Sequence, residues 1–281
     1  MAKKQSFFQT ISHQINNAVQ KLSSKPKVVK APLQMNKAEE GFYTYALKKL
    51  KESGVPFLVG GTYALTLHTG LRRDTKDLDI FCKASDYPAI LNVFEKDGFK
   101  AVIDERWLLK LYKGNDFIDV IFSTVNGLVP VDDSWFKNNP VVELFGSKVK
   151  IIRADDMIWS KSFRQERHKY DGPDINHLLL KKPKEIDWNR LMTRMEPYWE
   201  ILFAHLLNFR FVYPGYRQNI PKWVMEELIK RQTDQLRTPA PINKISRGRL
   251  ISPSYYDIDF DEWGFVDNLF LSKEYGDKNA H

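Results

Sequence analysis

Apolar positions recur at three- and four-residue spacing through much of the chain. Phe7, Phe8, Ile11, Ile15, Val19 and Leu22 predict a helix over about residues 5–22, with Lys25 to Pro32 as a linker. Phe42, Tyr45, Ala46 and Leu50 predict a second helix over Asn36 to Ser53, ended by Gly54. An apolar run, Val55 to Val59, is broken by Gly60-Gly61; Tyr63, Ala64, Leu67 and His68 then carry helical spacing to Gly70. That order is strand, glycine turn, helix. Strands are predicted at 78–81, 107–112 and 117–122, a helix at 86–97 ended by Gly98, and a hairpin from 141–144 and 149–152 around Gly146. From Asp155 the pattern turns helical, over roughly 156–169, 174–180, 187–211 and 222–234, with Trp188, Trp199 and Trp223 expected in the core. The final stretch has no clear period and reads as an arm held by Tyr255, Tyr256, Trp263 and Phe265. The predicted class is therefore α+β: a small mixed sheet flanked by helices, followed by a mainly helical C-terminal region. The expected boundaries are a basic segment at 1–35, a first domain at 36–180 and the C-terminal region at 181–281.

Composition narrows the function classes. The longest uncharged run, Ser53 to Leu71, carries glycines, a proline and a histidine, so no membrane span is expected. A single cysteine, Cys82, excludes an internal disulfide and reads as a packed small side chain; with no apolar leader visible, the expected compartment is the cytoplasm. The net charge is +8, but seven lysines precede the first acid, Glu39, leaving 36 basic against 35 acidic residues elsewhere. The near-neutral body lacks the broad basic face expected of an RNA binder.

The chemistry lies in carboxylates. Strand alternation puts Asp77 and Asp79 on one face with Leu78 on the other, and Asp119 interrupts the apolar strand Phe117 to Phe122, where a buried charge must be compensated. Divalent Mg²⁺ would serve all three, because it prefers hard oxygen ligands and substrate phosphates. An arrangement without metal is also open, in which Asp77 caps a strand end, Asp79 pairs with Arg72 or Arg73, and Asp119 meets a lysine. The turn at Gly60-Gly61 favours the first arrangement, since a helix start after bare glycine backbone suits a phosphate; Thr62, Arg72 and Arg73 could bind the same group. Lys161, Arg164 and His168 at helical spacing offer cations from a later helix, while Asp171 and Asp174 read as a helix cap and a first-turn acid. The three-residue recurrence of His168, Asp171, Asp174 and His177 is broken by Gly172-Pro173 and is not read as a metal cluster; Arg247-Gly248-Arg249 reads as a solvated loop.

Leu58-Val59-Gly60-Gly61-Thr62, Asp77-Leu78-Asp79 and Ile118-Asp119-Val120 together resemble the DNA polymerase beta-like nucleotidyltransferase superfamily. Gly-Gly-Thr-Tyr-Ala-Leu with Gly70, Arg72, Arg73 and Thr75, and the later Lys161, Arg167, Asp171 and Asp174, look most like the bacterial minimal nucleotidyltransferases of the AbiEii and MenT toxin group. The resemblance implies a Mg²⁺-dependent nucleotidyltransferase that moves a nucleoside monophosphate from an NTP to an acceptor hydroxyl and releases pyrophosphate. By the same resemblance Gly60, Gly61 and Thr62 would hold the triphosphate, Asp77 and Asp79 would bind metal, and Asp119 would complete a two-ion site, with Lys161 aiding the triphosphate. The acceptor, whether RNA, protein or small molecule, is open; the toxin likeness would add an antitoxin as partner. The competing class is a catalytically silent nucleotide-binding or interaction module.

Overall fold

The computed structural model describes residues 37–268. The expected helix at 5–22 and the last residues of the C-terminal arm lie outside them. Helix α1, Lys37–Glu52, packs through the fully buried Ala46, Leu47 and Leu50. Strand β1 is only Leu58–Val59, shorter than its apolar run, because Pro56 has no N–H to offer a ladder. Helix α2 spans Gly61–Thr69 and ends on Gly70, whose left-handed φ of 76° lets its N–H reach the Thr66 carbonyl. Strand β2 (Leu78–Phe81), helix α3 (Tyr87–Lys96) and strands β3 (Lys100–Asp104), β4 (Leu108–Lys113) and β5 (Asp116–Ile121) complete the sheet.

Its order is β1-β2-β5-β4-β3, with β2 and β5 parallel and the other neighbours antiparallel. Leu58, Val59, Leu78, Ile80, Leu109, Leu111, Ile118 and Val120 have no exposed surface and form the centre of the core. Strand β3 escapes the sequence pattern because it is an edge: Val102 stays 59% exposed, so no alternation of buried and polar positions marks it. The hairpin β6 (Val141–Leu144) and β7 (Ser147–Lys150) turns through Phe145 and Gly146, both at positive φ.

The helical half departs from expectation at two places. The helix expected over 156–169 stops early: α4 is Ala154–Ser162, and 163–171 folds into a loop in which Glu166 and Lys169 exchange backbone hydrogen bonds. Helix α5, Gly172–Lys181, restarts with Pro173 in its first turn; the ring of Tyr170 fills the space a Cβ on Gly172 would need. The expected 187–211 helix is two, α6 (Trp188–Arg194) and α7 (Trp199–Val212), interrupted by a 3₁₀ turn holding Pro197. Helix α8 covers Lys222–Leu236, and Trp223 on it is exposed rather than core, unlike the buried Trp188. The C-terminal arm is ordered as a parallel pair, β8 (Ile245–Ser246) with β9 (Val266–Asp267), a 3₁₀ turn at Gly248–Leu250 and helix α9 (Asp257–Asp261). Of the four aromatics expected to hold it, Tyr255 meets the body, through His168 Nδ1 at 3.3 Å and Arg167 over its ring; Tyr256 packs inside the arm where Gly248 lacks a side chain, and Trp263 is exposed. Among the described residues no helix is long and apolar enough to cross a membrane.

Candidate active site

The parallel register of β2 and β5 sets Asp79 directly beside Asp119, and Asp77 lies two residues before Asp79, so all three point from one face. One oxygen from each falls within 4.8 Å of the others, the only such group of metal-ligating side chains among the described residues. Their partners differ. Asp77 accepts a 2.6 Å hydrogen bond from the Thr75 hydroxyl. Asp119 takes Lys110 Nζ on both oxygens, at 2.6 and 2.7 Å, because Lys110 is its opposite number on β4. The Asp79 carboxylate has no hydrogen-bond or ion-pair partner among the described residues. Burial, then the charges of Asp77 and Asp119, push its carboxyl up to about 7. Burial also raises Asp119, against the pull of Lys110. Hard oxygen donors with a surplus of negative charge and one unpaired member fit a divalent cation.

The glycine turn is built around this acid. Gly60 N–H donates to the Asp79 carbonyl at 2.9 Å, tying the turn to β2. A Cβ on Gly61, which sits at φ +52°, would run into the Asp79 carboxylate, and one on Gly60 would strike the Phe81 ring. Gly61 and Thr62 line the cleft in front of the carboxylates, with first-turn N–H groups that have no intrahelical acceptor. Gly60, expected with them at the phosphates, is buried behind the turn against the Phe81 ring and outside the cleft lining. Arg72, also expected at the phosphates, lies on an exposed stretch outside the cleft lining, whereas Arg73 lines it.

Lys161 lines the cleft but is held: Nζ lies 3.2 Å from Asp171 and 2.9 Å from Asp174. Burial pulls its ammonium down, and the two carboxylates outweigh that, leaving it above the usual lysine range. Arg73 meets the same Asp174 at 2.9 Å. Asp171 does occupy the cap position of α5, accepting from Asp174 and Ile175 N–H through its carbonyl, but its carboxylate turns to Lys161. Asp174 is a buried member of this chain of charges. Lys169, by contrast, lines the cleft with no ion pair among the described residues. His168 points to Glu166 and Tyr255 instead of joining any metal group.

The cleft has a volume of about 460 Å³. Its far wall comes from Trp107, the 123–126 loop and the C-terminal arm, through Arg249, Leu250 and Pro253. Asn126 Nδ2 donates to the Leu250 carbonyl at 2.6 Å and Gln165 N to the Ile251 carbonyl at 3.0 Å, fastening the arm to both cleft loops. Arg249, expected in a solvated loop, bonds Asp257 and Asp267 at 2.7 and 3.0 Å and is cleft wall. Sequence reasoning allowed Asp119 a lysine without identifying Lys110, placed Arg249 in a solvated loop and missed Lys169; an isolated basic residue carries no signal until register and chain path bring it to the acids.

Among solved structures, an antigenic nucleotidyltransferase-like protein from Paracoccidioides brasiliensis is similar at 18% identity and TM-score 0.43, over 67% of this chain and 95% of that one. The antibiotic-resistance factor ANT(2'')-Ia is similar at 15% identity and TM-score 0.40, over 66% and 97%. The lincosamide antibiotic adenylyltransferase LnuA follows at 17% identity and TM-score 0.36, over 50% and 94%. No curated protein matches the chain significantly. The model of the family described as "Nucleotidyl transferase of unknown function (DUF2204)" matches residues 40–202. That span is more than half of the chain and contains the glycine turn, all three carboxylates and the Lys161 chain of charges, and the protein belongs to this nucleotidyl transferase family.

Proposed function

We propose that this protein is a Mg²⁺-dependent enzyme that transfers a nucleoside monophosphate from an NTP to an acceptor hydroxyl. The observation that carries the reading is the half-buried Asp79, without a partner among the described residues, beside Asp77 and Asp119, opening on a cleft that begins at a helix N-terminus. Asp77 and Asp79 would hold the divalent ion. When bound, that ion supplies charge neutralisation for the triphosphate and its departing pyrophosphate. The backbone at Gly61 and Thr62 receives phosphate oxygens, and Lys169 and Arg73 add cations from the rim. Lys169 takes that role in place of Lys161, because Lys161 is held between two carboxylates, whereas Lys169 has no ion pair among the described residues and Arg73 pairs with Asp174 alone and stays exposed. Asp119 accepts the proton of the acceptor hydroxyl as its oxygen bonds to the α-phosphorus; the bond from that phosphorus to the bridging oxygen breaks and pyrophosphate leaves with the electron pair.

The acceptor site is the wall formed by Trp107, the 123–126 loop and the arm. Incubation of the protein with α-labelled NTPs, Mg²⁺ and total cell extract tests the reading, by asking whether the RNA, protein or small-molecule fraction becomes labelled. Label in one fraction that disappears with Asp77→Asn supports it. No label in any fraction, together with no Mg²⁺-dependent thermal stabilisation by any NTP, rejects it in favour of a silent interaction module.

A further inference from the structure

We propose that Lys110 is a built-in cation of the active site: it occupies the nucleophile-side position on Asp119, so that the protein binds one tight divalent ion, on Asp77 and Asp79, instead of two. The inference rests on the nucleotidyltransferase reading of the site and concerns how that site is charged.

Two-metal phosphoryl-transfer sites place one ion toward the attacking oxygen and one toward the leaving group. Here the ligand that would serve the attacking side is already engaged. Both Asp119 oxygens lie within 2.7 Å of Lys110 Nζ. This is no chance reach of a long side chain, because Lys110 and Asp119 are paired by the β4–β5 register. The Phe117 ring lies 4.6 Å from the same ammonium and restricts its movement on one side. Among the described residues Asp77 holds only a neutral hydroxyl and Asp79 holds no partner, so the ligands lacking a cation are these two. The charge count agrees: three carboxylates are balanced by one ammonium and one divalent ion. A second divalent ion on Asp119 would sit within an ion-pair length of Lys110 and be repelled by it. Lys110 is thus a positioning residue that holds Asp119 toward the acceptor.

The test counts Mn²⁺ ions on the metal-stripped full chain, by calorimetry and by electron paramagnetic resonance of free Mn²⁺, without NTP and then with a non-hydrolysable NTP analogue. One ion per chain is expected for the unaltered protein and for Lys110→Arg. Two are expected for Lys110→Met, which keeps an unbranched side chain without the charge. Asp119→Asn, whose count does not depend on Lys110→Met folding, is expected to change first-ion affinity less than threefold. Two ions of similar affinity on the unaltered protein, one ion on folded Lys110→Met, or a tenfold loss of first-ion affinity in Asp119→Asn would each overturn the proposal. No Mn²⁺ on the unaltered protein even with nucleotide would instead reject the nucleotidyltransferase site itself, and the proposal with it.

Discussion

Two groups of acids in this protein, one buried and one half-buried at a cleft, meet opposite fates. Asp155 and Asp156, at the start of α4, are matched in charge: Arg153 lies 3.0 Å from Asp155, Arg190 bridges both at 2.5 and 2.7 Å, and Arg194 meets Asp156, whose pairing is ionic alone, since neither of its oxygens has a hydrogen bond among the described residues. Arg190 and Arg194 also donate to Ser134, so the network ties α4, α6 and the 132–136 turn together. Asp77, Asp79 and Asp119 share one lysine and one hydroxyl between them, and they face a cleft. The difference teaches that acids in the core do not by themselves mark a site. An imbalance that the fold leaves in place does, because only an incoming cation relieves it.

The sharpest way to separate the groups is to remove one acid from each. Asp79→Asn should lower nucleotidyl transfer by at least about 10⁴-fold, the scale of losing one member of a group that acts as a unit. The melting temperature of the metal-free protein should hold or rise, since like charge is being removed. Measured rates within tenfold of the unaltered protein would break the assignment. Asp156→Ala should do the reverse, costing about 3–5 kcal/mol in urea unfolding because it strands buried guanidinium charge. A cost under about 1 kcal/mol would mean the matched network is not structural.

A smaller effect is expected at the turn that shapes the unmatched group. Gly61→Ala forces a side chain into the left-handed region and against the Asp79 carboxylate. It should cost about 1–2 kcal/mol in stability and displace the acid, weakening Mg²⁺-dependent stabilisation by NTP in a thermal-shift measurement. Gly61→Ala with intact stabilisation would show that Asp79 moves freely.

The smallest difference should appear in pH dependence. Asp79 holds its proton up to about 7 in the folded chain, against about 3.9 unfolded. Between those values the native state binds a proton that the unfolded state does not, so raising pH through the window withdraws stability. The metal-free protein should lose roughly 2 kcal/mol relative to Asp79→Asn between pH 4 and 7. Saturating Mg²⁺ should restore it at the upper end. Parallel pH profiles for the two proteins would show that Asp79 is not strained by its neighbours.

By itself the sequence determined the strand, glycine turn and helix at 58–69, the two carboxylate-bearing strands and the α+β class, because each is written in local periodicity and punctuation. Asp77, Asp79 and Asp119 were legible for the same reason: alternation assigns a face to each acid without knowledge of any other strand. Helix ends at Ser162 and Arg194 were less so, since the apolar pattern continues across each break, through Phe163 at the first and Met195 at the second. Only the tertiary structure decided which cations meet which acids. Lys110 reaches Asp119 through a register between antiparallel strands, Lys161 is claimed by Asp171 and Asp174 across a loop, and Arg249 arrives at the cleft from a distant arm. Charge pairing depends on distances of a few ångströms between segments far apart in the chain, and no local period encodes that.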